Sequence, residues 1–255
     1  VYIVYGRDVA TQGNFPAITR LANLSAANGG DGSTGIMLQA AADTWPTPRA
    51  AGDVNGDGFQ DIIIGTAGAD PDGLDRAGSV FVFFGRDASE PFPGTVDLER
   101  LRPANGGDGS AGFVLDGLQE IYELGDTVAG AGDLNGDGVH DIVLSGEIGD
   151  GLDGAGRNNG DVYVVYGRVT ANVGDFPAQT NVSAFLPDNG GDGTTGFVLY
   201  GPDLDDHAGQ SLDFGGDFNN DGLADLIIGA SGNGDLDFVT DPGRVFVVYG
   251  RSPTP

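Results

Sequence analysis

The pattern Asp-x-Asn-x-Asp-Gly-x-x-Asp occurs three times, and each copy runs straight into an apolar strand. The copies are Asp53–Asp61, Asp133–Asp141 and Asp217–Asp225, and they begin 80 and 84 residues apart. The strands that follow open with Ile62-Ile63-Ile64, Ile142-Val143-Leu144 and Leu226-Ile227-Ile228. Spacing this regular marks tandem copies of one supersecondary unit, each of which buries a face against its neighbour. A fold built on one unrepeated core is thereby excluded.

Two further motifs keep the same register. A strand ending in Gly-Arg occupies 1–7 (Val1-Tyr2-Ile3-Val4-Tyr5-Gly6-Arg7), 80–86, 162–168 and 245–251. The turn Asn-Gly-Gly-Asp-Gly stands at 28–32, 105–109 and 189–193, ahead of the apolar runs 36–38, 113–115 and 197–199. Cutting after each Gly-Arg gives three units, 8–86, 87–168 and 169–251. The strand 1–7 stands in front as an orphan, and a Pro-rich tail, 252–255, follows. Each unit reads as four strands: the Gly-Phe-Val-Leu type, a short strand entering the acidic loop, the Asp-Ile-Ile-Ile type, and the Val-Phe-Val type.

No stretch of ten or more residues has helical periodicity. The 47 glycines punctuate short runs rich in Val, Ile, Phe and Tyr, the composition of an all-β chain. Four antiparallel strands per repeat predict the blades of a β-propeller, here three blades plus an orphan N-terminal strand. The apolar run after each acidic loop predicts burial on both faces. Three blades are too few to close, so the orphan Val1–Gly6 and the open blade edges predict strand donation to a neighbouring copy or a missing repeat. Such head-to-tail completion yields a ring where it closes and a filament where it does not.

The loops carry the chemistry. Hard divalent cations take oxygen ligands, six to eight for Ca²⁺. Positions 1, 3, 5 and 9 supply side-chain oxygens: Asp53, Asn55, Asp57 and Asp61; Asp133, Asn135, Asp137 and Asp141; Asp217, Asn219, Asp221 and Asp225. At position 7, Phe59, Val139 and Leu223 offer a backbone carbonyl, for which an apolar side chain is no obstacle. Gly58, Gly138 and Gly222 stand where the backbone must turn sharply. An EF-hand would place Glu at position 12 and a helix after it; here Ile64, Leu144 and Ile228 stand there, inside strands. The sequence therefore predicts three Ca²⁺ sites in β-hairpin loops.

The charge agrees with that chemistry. Thirty-eight acids face eleven bases, all of them Arg, for a net charge of −27. Such a field repels nucleic acid and anionic membranes and attracts cations. The absence of cysteine excludes disulfides and thiolate metal centres. No apolar run is long enough for a transmembrane helix, so no membrane insertion is expected. Loops of this grade fill at extracellular calcium levels, which predicts a location outside the cell or on its surface.

The run Ala131-Gly132-Asp133-Leu134-Asn135-Gly136-Asp137-Gly138-Val139-His140-Asp141-Ile142-Val143, with Gly160–Gly167, resembles the FG-GAP repeats of integrin α-subunit propellers and their bacterial relatives. The resemblance extends over essentially the whole chain. It implies calcium-binding propeller blades, and a role in adhesion or in binding a protein or glycan ligand. The family's Phe-Gly pair is replaced by Leu124-Gly125 and Ala208-Gly209, and in the first unit Trp45-Pro46-Thr47-Pro48 stands instead. The units are also longer than usual for the family, chiefly between the fourth strand and the Asn-Gly-Gly-Asp motif.

Other polar residues read as ancillary. Asp31, Asp108 and Asp192 fit tight turns, or alternatively contacts to a ligand or second cation. The acidic stretches Asp70–Asp75, Asp150–Asp153 and Asp235–Asp237 fit solvated hairpin tips. Asn23 and Asn181 head glycosylation sequons. His140 reads as an exposed loop residue at a non-ligand position, and His207 lies near Asp206 and Ser211 without arguing for a triad. The expected function is that of a non-catalytic, calcium-binding structural or adhesion protein. The alternatives are a ligand-binding segment of a larger propeller and, behind it, a hydrolase on a propeller scaffold.

Overall fold

A computed structural model describes residues 1–149, 158–203, 205–232 and 243–252. Asp150–Asp153 and Asp235–Asp237 lie outside the described residues. The fold is all-β: four sheets packed face to face in chain order, with helical turns of at most four residues among the described residues.

The first sheet contains β1 (Tyr2–Val4), β2 (Gly35–Gln39) and β6 (Thr95–Asp97). The second runs β11-β7-β5-β4-β3, from β11 (Gln179–Asn181) through β7 (Gly112–Asp116), β5 (Ser79–Phe83) and β4 (Asp61–Thr66) to β3 (Thr47–Gly52). The third runs β12-β10-β9-β8: β12 (Gly196–Tyr200), β10 (Asp161–Val165), β9 (Asp141–Gly146) and β8 (Val128–Gly132). The fourth holds β13 (Ser211–Phe214), β14 (Leu226–Ala230) and β15 (Arg244–Val248).

The N-terminal strand has one partner within the chain. It pairs antiparallel with β2 (Tyr2 opposite Met37, Val4 opposite Gly35), and Val1 and Leu38 exchange hydrogen bonds at 2.9 and 2.8 Å. It is thus held within its own chain, and only its other edge is open.

The sheets are also out of phase with the units cut at Gly-Arg. The Gly-Phe-Val-Leu strand of one unit does not open its own sheet; it closes the sheet before, as β7 does on β5 (Phe81 opposite Val114) and β12 on β10. The physical reason lies in the connection. After each Gly-Arg the chain makes a long excursion, then the Asn-Gly-Gly-Asp turn returns it antiparallel to the strand just completed.

The excursion explains the extra length of the units. Its middle adds a short parallel strand to the preceding sheet, β6 on β2 and β11 on β7, before the chain comes back. The second and third sheets are thereby each stitched to the one before.

Three apolar layers fill the gaps between sheets. Ile36 and Leu38 meet Ile64, Phe81, Phe83 and Val114 in the first. Ile63, Val80, Val82 and Leu115 meet Ile142, Leu144, Tyr163 and Val165 in the second. Val143, Val162 and Val164 meet Leu226, Ile228, Phe246 and Val248 in the third. Alternate residues of β4, β5, β9 and β10 therefore enter different layers. That accounts for their continuous apolar runs and confirms burial on both faces. Full burial of one such side chain contributes about 1.5–3 kcal/mol.

Candidate functional site

Each acidic loop joins the two strands of a hairpin at one end of its sheet, between β3 and β4, β8 and β9, and β13 and β14. The three loops fold alike. In the first, the carboxylate of Asp53 accepts from the N–H groups of Asp57 (3.0 Å) and Gly58 (2.9 Å), and Asn55 Oδ1 accepts from the same Asp57 N–H (3.1 Å). Asp57 Oδ1 accepts from Phe59 N–H, and its Oδ2 accepts from the Asn55 amide. The second loop repeats these bonds through Asp133, Asn135 and Asp137, the third through Asp217, Asn219 and Asp221. The oxygens of positions 1, 3 and 5 are thus drawn together over the N–H groups of positions 5 to 7.

Position 9 behaves differently. Asp61 is buried at the base of its loop, where Oδ2 accepts from Val54 N–H and Oδ1 from Gly85 N–H, both at 2.8 Å. Asp141 does the same with Leu134 and Gly167, and Asp225 with Phe218 and Gly250. Burial pushes the carboxyl of Asp61 up to about 6 and that of Asp141 up to about 7. The backbone donors pull each down, and the two other loop aspartates add to the rise.

Among the described residues no three His, Cys, Asp or Glu side chains converge as a metal centre. What each loop offers is two carboxylates and an amide oxygen held together, with a third carboxylate beneath. The carbonyls of Phe59, Val139 and Leu223 accept no hydrogen bond from the described residues. No arginine or histidine forms an ion pair with these carboxylates among the described residues. An all-oxygen donor set with uncompensated negative charge fits a hard dication such as Ca²⁺ and suits no soft metal.

The Gly-Arg dipeptide, read from the sequence only as a strand end, carries three jobs. Its glycine N–H holds the position-9 aspartate of its own loop. A Cβ on Gly167 would lie 2.3 Å from the His140 carbonyl, so no other residue fits there. Its arginine N–H reaches the loop of the sheet before: Arg168 to the Val54 carbonyl at 2.9 Å, Arg251 to that of Leu134 at 2.8 Å. Its guanidinium stacks on a phenylalanine of the following excursion: Arg7 on Phe15, Arg86 on Phe92 and Arg168 on Phe176, at 4.9, 3.8 and 4.2 Å. The recurring Phe-Pro at 15–16, 92–93 and 176–177 is the sequence signal that would have found this partner.

His140 is also more than an exposed loop residue. Its Nδ1 accepts from Asp53 N–H at 2.9 Å, and its own N–H donates to the Asp53 carbonyl at 3.1 Å. Asp31, Asp108 and Asp192 form the tight turns of the plainer reading. Each Oδ1 accepts the N–H and hydroxyl of the residue two positions on, which holds these carboxyls below their usual range.

Asn23 is exposed, whereas the amide of Asn181 is engaged by the Gly117 carbonyl at 2.8 Å. His207 faces neither Asp206 nor Ser211 in a triad; its Nδ1 lies 3.3 Å from Glu147 Oε1. Burial, then the bond to Asp126, pushes the carboxyl of Glu147 up to about 7. In the core, Tyr122 donates to Asp161 and lies 2.7 Å from the Tyr163 hydroxyl.

The FG-GAP repeat family model matches residues 50–83 and 208–248, two segments that each span an acidic loop and its flanking strands. Three curated relatives, all phosphatidylinositol-glycan-specific phospholipase D, align at low identity. The rat (Rattus norvegicus) protein is 28% identical over 60% of this chain, the bovine (Bos taurus) protein 29% over 50%, and the mouse (Mus musculus) protein 27% over 59%. The chain spans 18%, 14% and 17% of their respective lengths. The enzyme name of all three lends no support to the expectation of a chain without catalysis. No helix among the described residues is long and apolar enough to cross a membrane.

Proposed function

Two segments of this chain match the FG-GAP repeat family model, and from that premise we propose a calcium-stabilised, extracellular structural or adhesion module of β-propeller type. The observation that carries the reading is the oxygen-only donor set, built three times in one geometry and without a cationic partner among the described residues. A cation in each loop offsets the repulsion among its aspartates and fixes the hairpin that begins the sheet. Self-association is the second part of the reading. The outer face of the first sheet leaves Tyr2 and Val4 exposed, and the last sheet exposes Val245, Val247 and Tyr249. These two faces correspond to the two sides of the interior apolar layers, so a second copy stacked head to tail would cover both. Thermal melts with calcium and with EGTA, alongside sedimentation velocity, test both parts. A midpoint indifferent to calcium removal sinks the first, and a strictly monomeric species at high concentration sinks the second.

A second reading is favoured by the three relatives: this chain as the repeat-bearing segment of a larger enzyme that acts on phosphatidylinositol-glycans. Cleavage of such a substrate by this chain alone would overturn the non-catalytic assignment. Binding of a protein or glycan ligand through the loops fits either reading.

A further inference from the structure

The loops are joined to one another as well as built alike, and the joints run in one direction. The first loop is gripped by the third sheet. Asp53 exchanges two hydrogen bonds with His140, the Val54 carbonyl accepts from Arg168 N–H, and the Asn55 carbonyl accepts from the N–H (2.9 Å) and hydroxyl (3.2 Å) of Thr170. The second loop is gripped by the fourth sheet in the same places. The Asp133 carbonyl accepts from Ala224 N–H at 3.1 Å, and the Leu134 carbonyl from Arg251 N–H. The third loop receives no such grip from the described residues. Exposure follows the joints: Asn55 and Asn135 are 6% and 8% exposed, whereas Asn219 is fully in the exposed range.

We infer that the three loops take up calcium as a coupled series, in which each loop, once loaded, holds the preceding loop in its binding conformation. This rests on the calcium reading above. The gripping residue is position 8 of the loop, His140 or Ala224. It sits between the position-7 carbonyl and the position-9 carboxylate, both offered to the ion. An ion that fixes positions 7 and 9 also fixes position 8. The preceding loop then loses less conformational freedom when it binds its own ion, which is positive cooperativity without a change of shape. By linkage, loading the first loop strengthens the second to the same degree. His140 makes the first joint the stronger one, because its ring adds a side-chain bond that Ala224 lacks.

Calcium titration by calorimetry, with the amide resonances of Gly58, Gly138 and Gly222 as separate reporters of the three loops, tests the coupling. In Asp217→Asn/Asp221→Asn the third site is lost, and the Gly138 reporter should titrate at about 5-fold or more higher calcium. His140→Ala should shift Gly58 by a similar factor and Gly222, which it reaches only through the second loop, by less. Circular dichroism establishes that the variant is folded. Wild-type midpoints at Gly138 and Gly58 in both variants would overturn the coupling while leaving the calcium sites intact. A wild-type protein that binds no calcium at millimolar concentration would overturn the sites and the coupling together.

Discussion

Val162 and Val245 hold the same place in their repeats, yet Val162 is 1% exposed and Val245 70%. The third sheet and the fourth share the acidic loop and the Val-x-Val-Val-Tyr-Gly-Arg strand end, at 162–168 and 245–251. In the third, every residue of β9 and β10 is buried; in the fourth, β13 and β15 alternate between half-buried and exposed. Their loops differ in the same sense, one gripped by the next sheet and the other receiving no such grip from the described residues. Strand burial here is a property of the neighbour more than of the repeat, as nearest-neighbour stacking requires.

The largest test of that difference is removal of calcium. On the proposed calcium reading, three sites at saturation would contribute several kcal/mol together, so EGTA should lower the melting midpoint by about 10 °C or more. Hydrogen exchange should show β13–β15 losing protection before β8–β10. Equal loss in both sheets would erase the distinction. Next in size is the position-9 carboxylate. Asp141→Ala leaves Leu134 and Gly167 N–H buried without partners, at a cost of about 3 kcal/mol in chemical denaturation. Asp225→Ala should cost roughly half as much, because one of its donors is only partly buried.

The apolar faces give a smaller contrast. Val164→Ser should destabilise by about 2 kcal/mol, whereas Val247→Ser should stay within about 0.5 kcal/mol and reduce any self-association seen by sedimentation. A full-sized loss at Val247 in the monomer would mean that its face is covered.

The smallest effect concerns pH at the junction of these two sheets, where Glu147 meets Asp126, Glu123, His207 and Gln210. Its folded value of about 7 lies above the roughly 4.3 of an unfolded chain. The native state therefore keeps a proton that the unfolded state has lost. The stability this contributes is full below about pH 4.3 and disappears as pH rises through about 7. Glu147→Gln should flatten the fall in melting midpoint between pH 5 and pH 8; an unchanged slope would assign the pH response to other groups.

The repeats, the loops and the apolar strands were legible because they are local and periodic. The phase of the sheets was not. When units repeat, a strand pairs equally well with its own unit or the one before, and the choice is made by a connection of irregular sequence. His140 stayed hidden for a related reason, since its partner Asp53 lies 87 residues away. The Phe-Gly pair missing from the first unit has a backbone explanation. Trp45 stands where Gly125 and Gly209 do and takes a left-handed φ of 40°, against their 89° and 96°. The position demands that geometry whichever residue fills it, at a cost for a bulky side chain. The spacing of Asp61, Asp141 and Asp225 is visible in the sequence, whereas the backbone donors that both oxygens meet are not.

The offset between repeat and sheet bears on how such arrays are lengthened or shortened. A segment excised from one Gly-Arg to the next would carry off the closing strand of one sheet and the opening three of another. Splicing between Tyr200 and Ser211, or between Asp116 and Val128, keeps every hairpin with its own partners. Gene duplications that breed viable longer arrays should have their seams there.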